Sequence, residues 1–321
     1  MYSLGFDIGG TKCAVILGKG TMSENHEELI IDKIAFPTKV ERGWRAVLEE
    51  MQNTADILLR KHKIISPETE LCGIGISCGG PLDSVKGTVN CPPNLPDWDN
   101  VPICDIFEKH FGIRPVLQND ANACAVAEWK FGSGKGTKNM IFLTFGTGMG
   151  AGLILDGRLY SGTNDMAGEV GHIRLSSDGP EGYGKCGSFE GFCSGGGIAR
   201  LAQSVISEAK KNNENTVLLN EEEISAKTVA IAAKNGDEVA KRVYRMCAEK
   251  LGLGLSILID ILNPEAIVIG SIYSRDKELF DDIINEVIKK EALSYSYNAV
   301  KILPATLGNS IGDYAALGLA F

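Results

Sequence analysis

The feature that most constrains the fold is a glycine turn near the start of the chain. It reads Asp7-Ile8-Gly9-Gly10-Thr11-Lys12. Apolar residues lie on both sides of it, at 4–8 and 14–17, which predicts strand, tight turn, strand. Adjacent glycines let backbone N–H groups approach an anion, because no Cβ intervenes. A phosphate site is favoured by the Thr11 hydroxyl, the Lys12 charge and the Asp7 carboxylate, which can attract magnesium. The alternative is a plain hairpin with a Gly-Gly turn.

A similar turn recurs in the middle of the chain. It reads Gly146-Thr147-Gly148-Met149-Gly150-Ala151-Gly152. Apolar residues precede it at 142–145, interrupted by Thr144, and follow it at 153–155. A shift of 138 residues places Gly148 on Gly10 and Leu155 on Leu17. The recurrence predicts a duplicated core with one phosphate turn in each half, and two such turns could hold a triphosphate from both sides.

Two other glycine patterns are excluded as nucleotide motifs. Residues 132–137 resemble the end of a P-loop, but Trp129 stands where the first glycine is required and Gly136 where Ser or Thr is required. The pattern Gly146-x-Gly148-x-x-Ala151 would have to open a helix to bind a dinucleotide, and a strand is predicted after it.

Composition is that of an ordinary globular protein. A length of 321 residues predicts two domains. The chain has 44% hydrophobic and 23% charged residues, which is typical of globular proteins. It has no apolar run long enough for a membrane span, and no signal peptide is expected. The chain is therefore predicted to be cytoplasmic. The net charge of −9 argues against nucleic acid or an anionic membrane as a main partner.

The nine cysteines are an odd number, and no pair has CxxC spacing. They are predicted to be buried free thiols in a reducing compartment. Their positions are Cys13, Cys72, Cys78, Cys91, Cys104, Cys124, Cys186, Cys193 and Cys247.

Apolar periodicity predicts an α/β protein. The first part should hold a helix at 43–62, a strand at 71–77, a proline-rich loop at 90–102, a strand at 116–118 and a helix at 121–131. Residues 165–197 are rich in glycine and irregular. The last third should hold helices at 198–212, 225–235, 237–262 and 277–291, and a strand at 266–269. A terminal helix at 312–321 is expected to pack on the N-terminal domain, giving a smaller domain of 1–118 plus 304–321 and a larger one of 119–303.

Six segments follow one another as they do in the ROK family of sugar kinases, which the chain resembles over nearly its whole length. They are residues 7–12, Pro93-Asn94-Leu95-Pro96-x-Trp98, 118–122, 146–152, Glu169-x-x-His172 and Phe189-Glu190. The resemblance implies an actin/hexokinase-like (ribonuclease H-like) duplicated fold with two α/β domains around a cleft. It implies ATP bound mainly to the larger domain, the sugar at the bottom of the cleft, and a homodimer.

Asp120 is the candidate catalytic residue. It is expected at a strand end and at the start of the next helix, where a carboxylate could accept the proton of a sugar hydroxyl during phosphoryl transfer. The alternative is a helix N-cap. Asn119 beside it, and Asn94 in the proline-rich loop, can donate to and accept from vicinal hydroxyls; a loop-capping role is the alternative for Asn94.

The resemblance implies further contacts to the sugar ring. Glu169, His172 and Glu190 are expected to contact its hydroxyls, including the anomeric side, and Gly80 is expected to lie against the substrate. These side chains would distinguish one epimer from another, so the identity of the sugar stays open among glucose, mannose, allose, N-acetylglucosamine and N-acetylmannosamine.

The chain departs from the family at its zinc site. Many members carry three cysteines after this histidine, and these four residues bind a structural zinc. Here Glu181, Tyr183 and Ser188 stand at the cysteine positions, and Cys186 lies between them without a partner at ligand spacing. We therefore predict no zinc, with the loop held by packing of Tyr183, Phe189 and Phe192.

The nucleotide is expected to contact both turns and two later glycine segments. Gly195-Gly196-Gly197 opens a helix, where N–H groups could face a phosphate. Residues 267–271 resemble the family's adenosine segment, but its run of glycines is reduced to Gly270. The predicted ATP and phosphate contacts are Asp7, Gly9, Gly10, Thr11, Lys12, Thr144, Gly146, Thr147, Gly148, Gly195 and Gly270.

Three functions are compatible with these features. The first is an ATP- and magnesium-dependent hexose kinase acting at the 6-hydroxyl, with glucose as the default because of its frequency in the family. The second is a sugar-sensing transcription regulator, which in this family carries a winged-helix domain before the first turn; only six residues precede Asp7 here. The third is a catalytically silent sugar-binding protein, against which Asp120 and both phosphate turns argue.

Overall fold

The computed structural model describes residues 1–20 and 28–321 as a mixed α/β chain. Its strands are β1 (Tyr2–Ile8), β2 (Lys12–Lys19), β3 (Ile30–Pro37), β4 (Leu71–Cys78), β5 (Leu82–Asp83), β6 (Thr88–Val89), β7 (Val116–Asn119), β8 (Met140–Phe145), β9 (Met149–Leu155), β10 (Arg158–Tyr160), β11 (Glu181–Gly182), β12 (Lys185–Cys186), β13 (Ala266–Ile269) and β14 (Lys301–Pro304). Its helices are α1 (Gly43–Lys61), α2 (Pro67–Glu70), α3 (Ile103–Phe111), α4 (Asp120–Phe131), α5 (Phe189–Phe192), α6 (Gly195–Lys211), α7 (Ala226–Lys234), α8 (Glu238–Leu262), α9 (Ile272–Asp276), α10 (Asp281–Glu291), α11 (Ser294–Ala299) and α12 (Ile311–Gly318).

Contacts between residues divide the chain into two compact units. The first, unit 1, comprises residues 1–136, 159–167 and 307–321, and the second, unit 2, comprises 137–158 and 168–306. The sequence predicted a division at 118/119 instead. Helix α4 contacts α12 and β4, and these contacts group residues 119–136 with the N-terminal strands. The predicted domains, 1–118 plus 304–321 and 119–303, stay a prediction.

The sheet of unit 1 has the order β3-β2-β1-β4-β7. Strands β1, β2 and β3 form an antiparallel meander, and β4 and β7 continue the sheet in parallel with β1. The carboxyl ends of β1, β4 and β7 therefore lie at one edge, which brings Ile8, Cys78 and Asn119 into neighbouring rows. This edge carries the first glycine turn and the start of helix α4.

The core of unit 1 forms between its sheet and helices α1 and α3. One face of α1 is buried, including Val47, Met51 and Leu58, and Phe107 of α3 packs on Phe6 of β1 with ring centroids 4.6 Å apart. On the other side α12 packs on β1 and β4 so closely that a Cβ on Gly75 would lie 2.1 Å from the Ala316 carbonyl oxygen. The predicted packing of the terminal helix on the N-terminal part is confirmed.

The sheet of unit 2 repeats this topology, with the order β10-β9-β8-β13-β14. Strands β8 and β9 are antiparallel, and β13 lies parallel to both β8 and β14. The duplicated actin/hexokinase-like core is confirmed. The second hairpin is tighter than the first, because Phe145 pairs with Met149 whereas Ile8 pairs with Cys13. One shift of 138 residues therefore cannot superimpose both strands of the two hairpins.

Most predicted elements are confirmed within one to three residues, and one helix is wrong. The predicted helix at 277–291 is interrupted at the buried Phe280: a 3-10 helix covers Lys277–Leu279, and α10 begins at Asp281. The Phe280 ring contacts Phe145 and Tyr244 at 5.6 and 5.3 Å between centroids, so packing of this ring breaks the helical run. Among the described residues, no helix is both long and apolar enough to cross a membrane.

The cysteines are free thiols, but burial was predicted too broadly. Cys13, Cys78, Cys104, Cys193 and Cys247 are buried, Cys124 is half-buried, and Cys72, Cys91 and Cys186 are exposed. The exposed thiols lie at an outward-facing strand position, in the proline-rich loop and in the short hairpin β11–β12. At each of these positions the direction of the side chain, and not the apolar character of the surrounding sequence, determines how exposed the thiol is.

Candidate active site

The first glycine turn is fixed by its own backbone and by the segment after β3. Gly9 N–H donates to the Lys12 carbonyl at 3.1 Å, and the Thr38 hydroxyl donates to the Gly9 carbonyl at 2.5 Å. Gly10 lies against the proline-rich loop, where an added Cβ would be 2.4 Å from the Asn94 carbonyl oxygen. A larger residue at position 10 would separate the turn from Asn94, so glycine is required by this close approach.

Asp7 lies at the end of β1, immediately before the turn. Burial, reinforced by the negative charge of Asp313, raises the pKa of Asp7 to about 6, although Lys33 and Lys12 act in the opposite direction. The carboxyl group packs against Gly312 of α12, where an added Cβ would lie 2.8 Å from Oδ2. A partly desolvated carboxylate at a phosphate turn is a suitable ligand for magnesium carried by a nucleotide.

The Lys33–Asp313 ion pair beside Asp7 was not predicted. Lys33 Nζ lies 2.5 and 2.7 Å from the two carboxylate oxygens of Asp313, which is 7% exposed. Since Asp313 would otherwise place a second unpaired negative charge near Asp7, this lysine limits the repulsion between them. The sequence did offer one indication of this pair, because Asp313 is an acidic residue inside a segment, 312–320, that is otherwise small and apolar.

Asp120 is the first residue of α4, directly after strand β7. Asn119 is the N-cap of this helix, since its side-chain oxygen accepts from Asn122 N–H at 2.8 Å. The alternative that Asp120 is only a cap is therefore wrong. Asp120 Oδ1 accepts from Ala121 N–H at 2.9 Å. Its side chain stays accessible to solvent, yet the protein atoms crowded around it desolvate it and raise its pKa.

Three of the predicted sugar contacts lie near these groups in unit 1. An added Cβ on Gly80 would lie 3.7 Å from the Asn119 Cβ, which places the end of β4 beside the end of β7. Asn94 is exposed and adjoins Gly10. Unit 1 therefore combines a phosphate-type turn, an accessible carboxylate and hydrogen-bonding amides at one edge of its sheet.

The second glycine turn is pinned at its base in unit 2. The Thr144 hydroxyl accepts from Gly150 N–H at 2.9 Å and donates to the Gly150 carbonyl at 3.3 Å. Gly195 N–H donates to the Gly146 carbonyl at 2.7 Å, so the first residue of α6 touches the turn. Ser194 caps α6 by accepting from Gly197 N–H. Thr144, Gly146 and Gly195 thus lie around one helix N-terminus. The expectation that the N–H groups of Gly195 and Gly197 face a phosphate is wrong, because both already donate within the protein, to the Gly146 carbonyl and the Ser194 hydroxyl.

Ser271 follows Gly270 at the same place and has a strained backbone. Its φ of 52° and ψ of −107° belong to a conformation that glycine adopts far more readily. An added Cβ on Gly146 would lie 3.4 Å from the Ser271 hydroxyl oxygen, so this side chain borders the second turn. The sequence analysis noted that the glycine run is reduced to Gly270, but it did not predict that Ser271 would therefore have a strained backbone.

We expect Ser271→Gly to raise the free energy of unfolding by about 1 kcal/mol, because glycine relieves the strain and its greater freedom in the unfolded chain offsets part of the gain. Ser271→Ala is the matched control, since alanine removes the hydroxyl but keeps the Cβ. Chemical denaturation compares the two. A glycine variant no more stable than the alanine variant would contradict this account of Ser271.

Glu190 supports the second turn. Its Oε2 accepts from Met149 N–H at 3.0 Å, and an added Cβ on Gly148 would lie 2.8 Å from the same oxygen. The predicted contact of Glu190 with a sugar hydroxyl is not tested by this arrangement, because a carboxylate can accept several hydrogen bonds. The residue therefore has a structural contact that the sequence did not predict.

Glu190→Ala is expected to lower the free energy of unfolding by about 1–3 kcal/mol, because the buried N–H of Met149 loses its acceptor. Glu190→Gln keeps an acceptor oxygen and should recover most of that loss. Thermal and urea unfolding of both variants measure the difference. Equal stability of the alanine and glutamine variants would show that this hydrogen bond has no such role.

The segment that follows Gly168, which was predicted to contact the sugar hydroxyls, carries exposed side chains. Glu169 precedes a short 3-10 helix, Val170–His172, and both Glu169 and His172 are accessible. The prediction that Tyr183 holds the following loop by packing is wrong, because this residue is 80% exposed. Its ring and that of His172 form a T-shaped pair with centroids 6.4 Å apart. Phe189 and Phe192 are buried as predicted.

No group of three or more His, Cys, Asp or Glu side chains is placed to hold a metal ion in the part of the chain that the structure describes. The absence of zinc stays a prediction. Elemental analysis of the purified protein tests it, with less than about 0.1 zinc per chain expected because the thiolate ligands are missing. Zinc in a one-to-one ratio with the chain would contradict it.

The duplicated fold, with one glycine turn in each unit, defines a protein of the actin/hexokinase-like class. A profile described as the ROK family matches residues 3–320, and the chain belongs to the ROK family.

Three known proteins illustrate the range of its relatives. The glucokinase of Streptomyces coelicolor is 32% identical over 323 residues, covering 99% of this chain and 97% of that protein. The xylose repressor of Caldicellulosiruptor bescii is 34% identical over 251 residues, covering 76% of this chain and 62% of that protein. A crystal structure of a ROK family glucokinase from Streptomyces griseus, in complex with glucose and AMPPNP, is 30% identical with a TM-score of 0.72, and the match covers 100% and 99% of the two chains.

Proposed function

We propose that this ROK-family chain, an ATP-dependent sugar kinase, transfers the γ-phosphoryl group of ATP to the 6-hydroxyl of a hexose, with glucose as the first acceptor to test. Relatives along the whole chain include glucokinases, and one solved relative holds glucose and AMPPNP. The observation that carries the proposal is the Asp120 carboxylate, which is accessible at the start of α4 beside Asn119.

Asp120 is the general base in this proposal. The carboxylate accepts the proton of the 6-hydroxyl as the hydroxyl oxygen attacks phosphorus in line and ADP leaves. Crowding by protein atoms raises the pKa of Asp120, which makes it a better proton acceptor than a fully hydrated aspartate. Hydrogen bonds from the backbone N–H groups of Ala121 and Asp120 orient the carboxylate, which can still accept a hydrogen bond from a substrate hydroxyl.

The sugar is assigned to Gly80, Asn94, Asn119, Glu169, His172 and Glu190. The phosphates are assigned to the two turns, with Thr11, Lys12, Thr144, Thr147, Gly195 and Gly270 as further contacts. Magnesium entering with ATP would neutralise phosphate charge, and the hard oxygen donors of Asp7 fit such an ion. Positioning and charge neutralisation supply most of the acceleration in phosphoryl transfer.

A coupled assay for ADP release across a sugar panel tests the proposal. The panel comprises glucose, mannose, allose, N-acetylglucosamine and N-acetylmannosamine. We expect one hexose to give clearly the highest kcat/KM, and glucose is the expected one. ADP release that no sugar stimulates would contradict kinase activity, whereas a preference for an amino sugar would change the substrate and keep the reaction.

A sugar-responsive DNA-binding role is the second candidate, because the xylose repressor is a relative over 76% of this chain. The net charge of −9 disfavours it. A gel-shift assay with and without sugar decides, and sequence-specific binding at physiological salt would favour this role.

We further propose a cytoplasmic homodimer, as the family resemblance implies. Light scattering coupled to gel filtration measures the mass in solution. A mass near the 34.4 kDa of one chain would contradict the dimer.

A further inference from the structure

Thr38 directly follows β3 and is fully buried, with 0% of its surface exposed. Its hydroxyl donates to the Gly9 carbonyl at 2.5 Å, and its backbone N–H donates to the Thr11 carbonyl at 3.0 Å. One buried residue therefore holds the first glycine turn at two carbonyl groups, on either side of Gly10. Thr38 is not among the sugar or phosphate contacts proposed above.

These two hydrogen bonds set the direction of the amide groups that follow the held carbonyls. In a planar trans peptide the carbonyl oxygen and the next N–H point in opposite directions. Because the Gly9 carbonyl points to Thr38, the Gly10 N–H points away from Thr38. The Gly10 N–H has no hydrogen-bond partner among the residues that the structure describes. It is therefore oriented and available to bind an anion such as a phosphate.

Thr38 is itself held in place by neighbours. Arg42 Nε donates to the Thr38 carbonyl at 2.8 Å, and the same guanidinium pairs with Glu50 of α1. The Thr38 hydroxyl oxygen also lies 3.3 Å from the buried Cys13 Sγ. Since the one hydroxyl proton of Thr38 goes to Gly9, the thiol is the donor in that contact. The direction of the hydroxyl is therefore fixed before any ligand binds.

The two glycine turns are supported in different ways. Asp7 and Thr144 occupy equivalent positions, each one residue before the end of its strand, β1 or β8. In the second hairpin the Thr144 hydroxyl bonds to its cross-strand partner Gly150 and so supports the turn from within the hairpin. In the first hairpin this position carries the carboxylate proposed to face magnesium. The supporting hydroxyl comes instead from Thr38, outside the hairpin.

We propose that Thr38 is a positioning residue for the nucleotide, because its hydroxyl fixes the first glycine turn in the conformation that binds phosphate. This inference rests on the proposed kinase function, in which that turn contacts the phosphates of ATP. The role is specific to the nucleotide, so loss of the hydroxyl should weaken nucleotide binding and leave sugar binding intact. A threonine that only stabilised the fold of unit 1 would not separate the two substrates in this way.

The experiment compares Thr38→Val, which keeps the shape of the side chain but removes the hydroxyl, with Thr38→Ser, which keeps the hydroxyl. Thr54→Val is the matched control, because Thr54 is a buried threonine of α1 in the same unit and its hydroxyl makes no hydrogen bond in the described part of the chain. Calorimetry measures the dissociation constants of AMPPNP with magnesium and of the preferred panel sugar. Steady-state kinetics give kcat and the KM for each substrate.

Thr38→Val should raise the dissociation constant of AMPPNP and the KM for ATP about tenfold, equivalent to about 1.4 kcal/mol. The sugar's dissociation constant should change less than about twofold and kcat less than about threefold, since the lost contact serves ground state and transition state alike. Thr38→Ser and Thr54→Val should resemble wild type. If Thr38→Val fails to fold, Arg42→Lys carries the test, with the KM for ATP raised about threefold, because one ammonium group cannot replace the guanidinium fork that holds both Thr38 and Glu50.

Three results would overturn this role: unchanged nucleotide affinity in Thr38→Val, an equal loss of sugar affinity in that variant, or an equal loss of nucleotide affinity in Thr38→Ser or Thr54→Val. If no sugar is phosphorylated, the kinase proposal fails separately. Calorimetry with AMPPNP then decides the role of Thr38 alone. Binding that is weakened in Thr38→Val and kept in Thr38→Ser supports it, whereas binding that is unaltered in Thr38→Val or absent in wild type refutes it.

Discussion

Asp120→Asn is expected to lower kcat by roughly a few hundredfold or more, while the dissociation constant for the sugar changes little. The amide keeps the shape of the side chain and its hydrogen bond from Ala121 N–H, but it cannot accept the proton of the 6-hydroxyl. Loss of kcat without loss of binding is the result that separates a base from a binding residue. Steady-state kinetics and calorimetric titration of the sugar measure the two quantities.

Asp56→Asn is the matched control for this substitution. Asp56 is a surface carboxylate of α1 that pairs with His110 at 3.1 Å, and its loss removes the same charge from unit 1 without touching the sheet edge. We expect normal turnover in this control. Near-normal turnover in Asp120→Asn itself would refute the assignment of Asp120 as base.

Asp7→Asn is expected to make the protein more stable above pH 7 and much less active. The pKa of Asp7 is about 6 in the folded protein, against a reference value of 3.8, because burial and the nearby Asp313 disfavour its ionised form. The folded protein therefore binds more protons than the unfolded chain between these values. The contribution of Asp7 to the free energy of unfolding falls as the pH rises from 4 to 6, by up to about 3 kcal/mol.

An asparagine at position 7 removes this dependence. Relative to wild type, Asp7→Asn should gain stability between pH 4 and 7 and keep that gain at higher pH. In wild type, kcat/KM should fall as the pH drops through about 6, since the protonated carboxyl no longer complements the nucleotide's cation.

Urea unfolding of wild type and variant at pH 4.5 and 7.5, with a pH–rate profile, checks both statements. Asp56→Asn again serves as the control for charge, with no pH-dependent gain expected. If the free energy of unfolding of Asp7→Asn changed between pH 4.5 and 7.5 by the same amount as that of wild type, burial would not disfavour the ionised form of Asp7.

The local parts of this structure could be predicted from sequence because they depend on neighbouring residues. Both glycine turns lie between apolar runs, so their hairpins follow from short-range pattern alone. Asp120 was placed correctly at the start of α4 because a strand and a helix meet there. Helices α1, α6 and α8 carry continuous apolar faces, which predicts them independently of the fold.

The remaining features depend on contacts distant in sequence. Lys33 and Asp313 are separated by 280 positions, so their pairing beside Asp7 has no local signal. The grouping of α4 with unit 1 likewise follows from its packing on α12. Tyr183 was expected to pack because it is aromatic, yet its φ of 45° places it at an exposed turn where backbone geometry decides the direction of the side chain.

The most direct test compares ATP turnover with glucose and with 6-deoxyglucose, which differ only in the hydroxyl that Asp120 is proposed to deprotonate. The account predicts ADP release and a phosphorylated product with glucose, and no phosphorylated product with 6-deoxyglucose, which should instead inhibit competitively. A phosphorylated product from 6-deoxyglucose at a comparable rate would contradict transfer to the 6-hydroxyl.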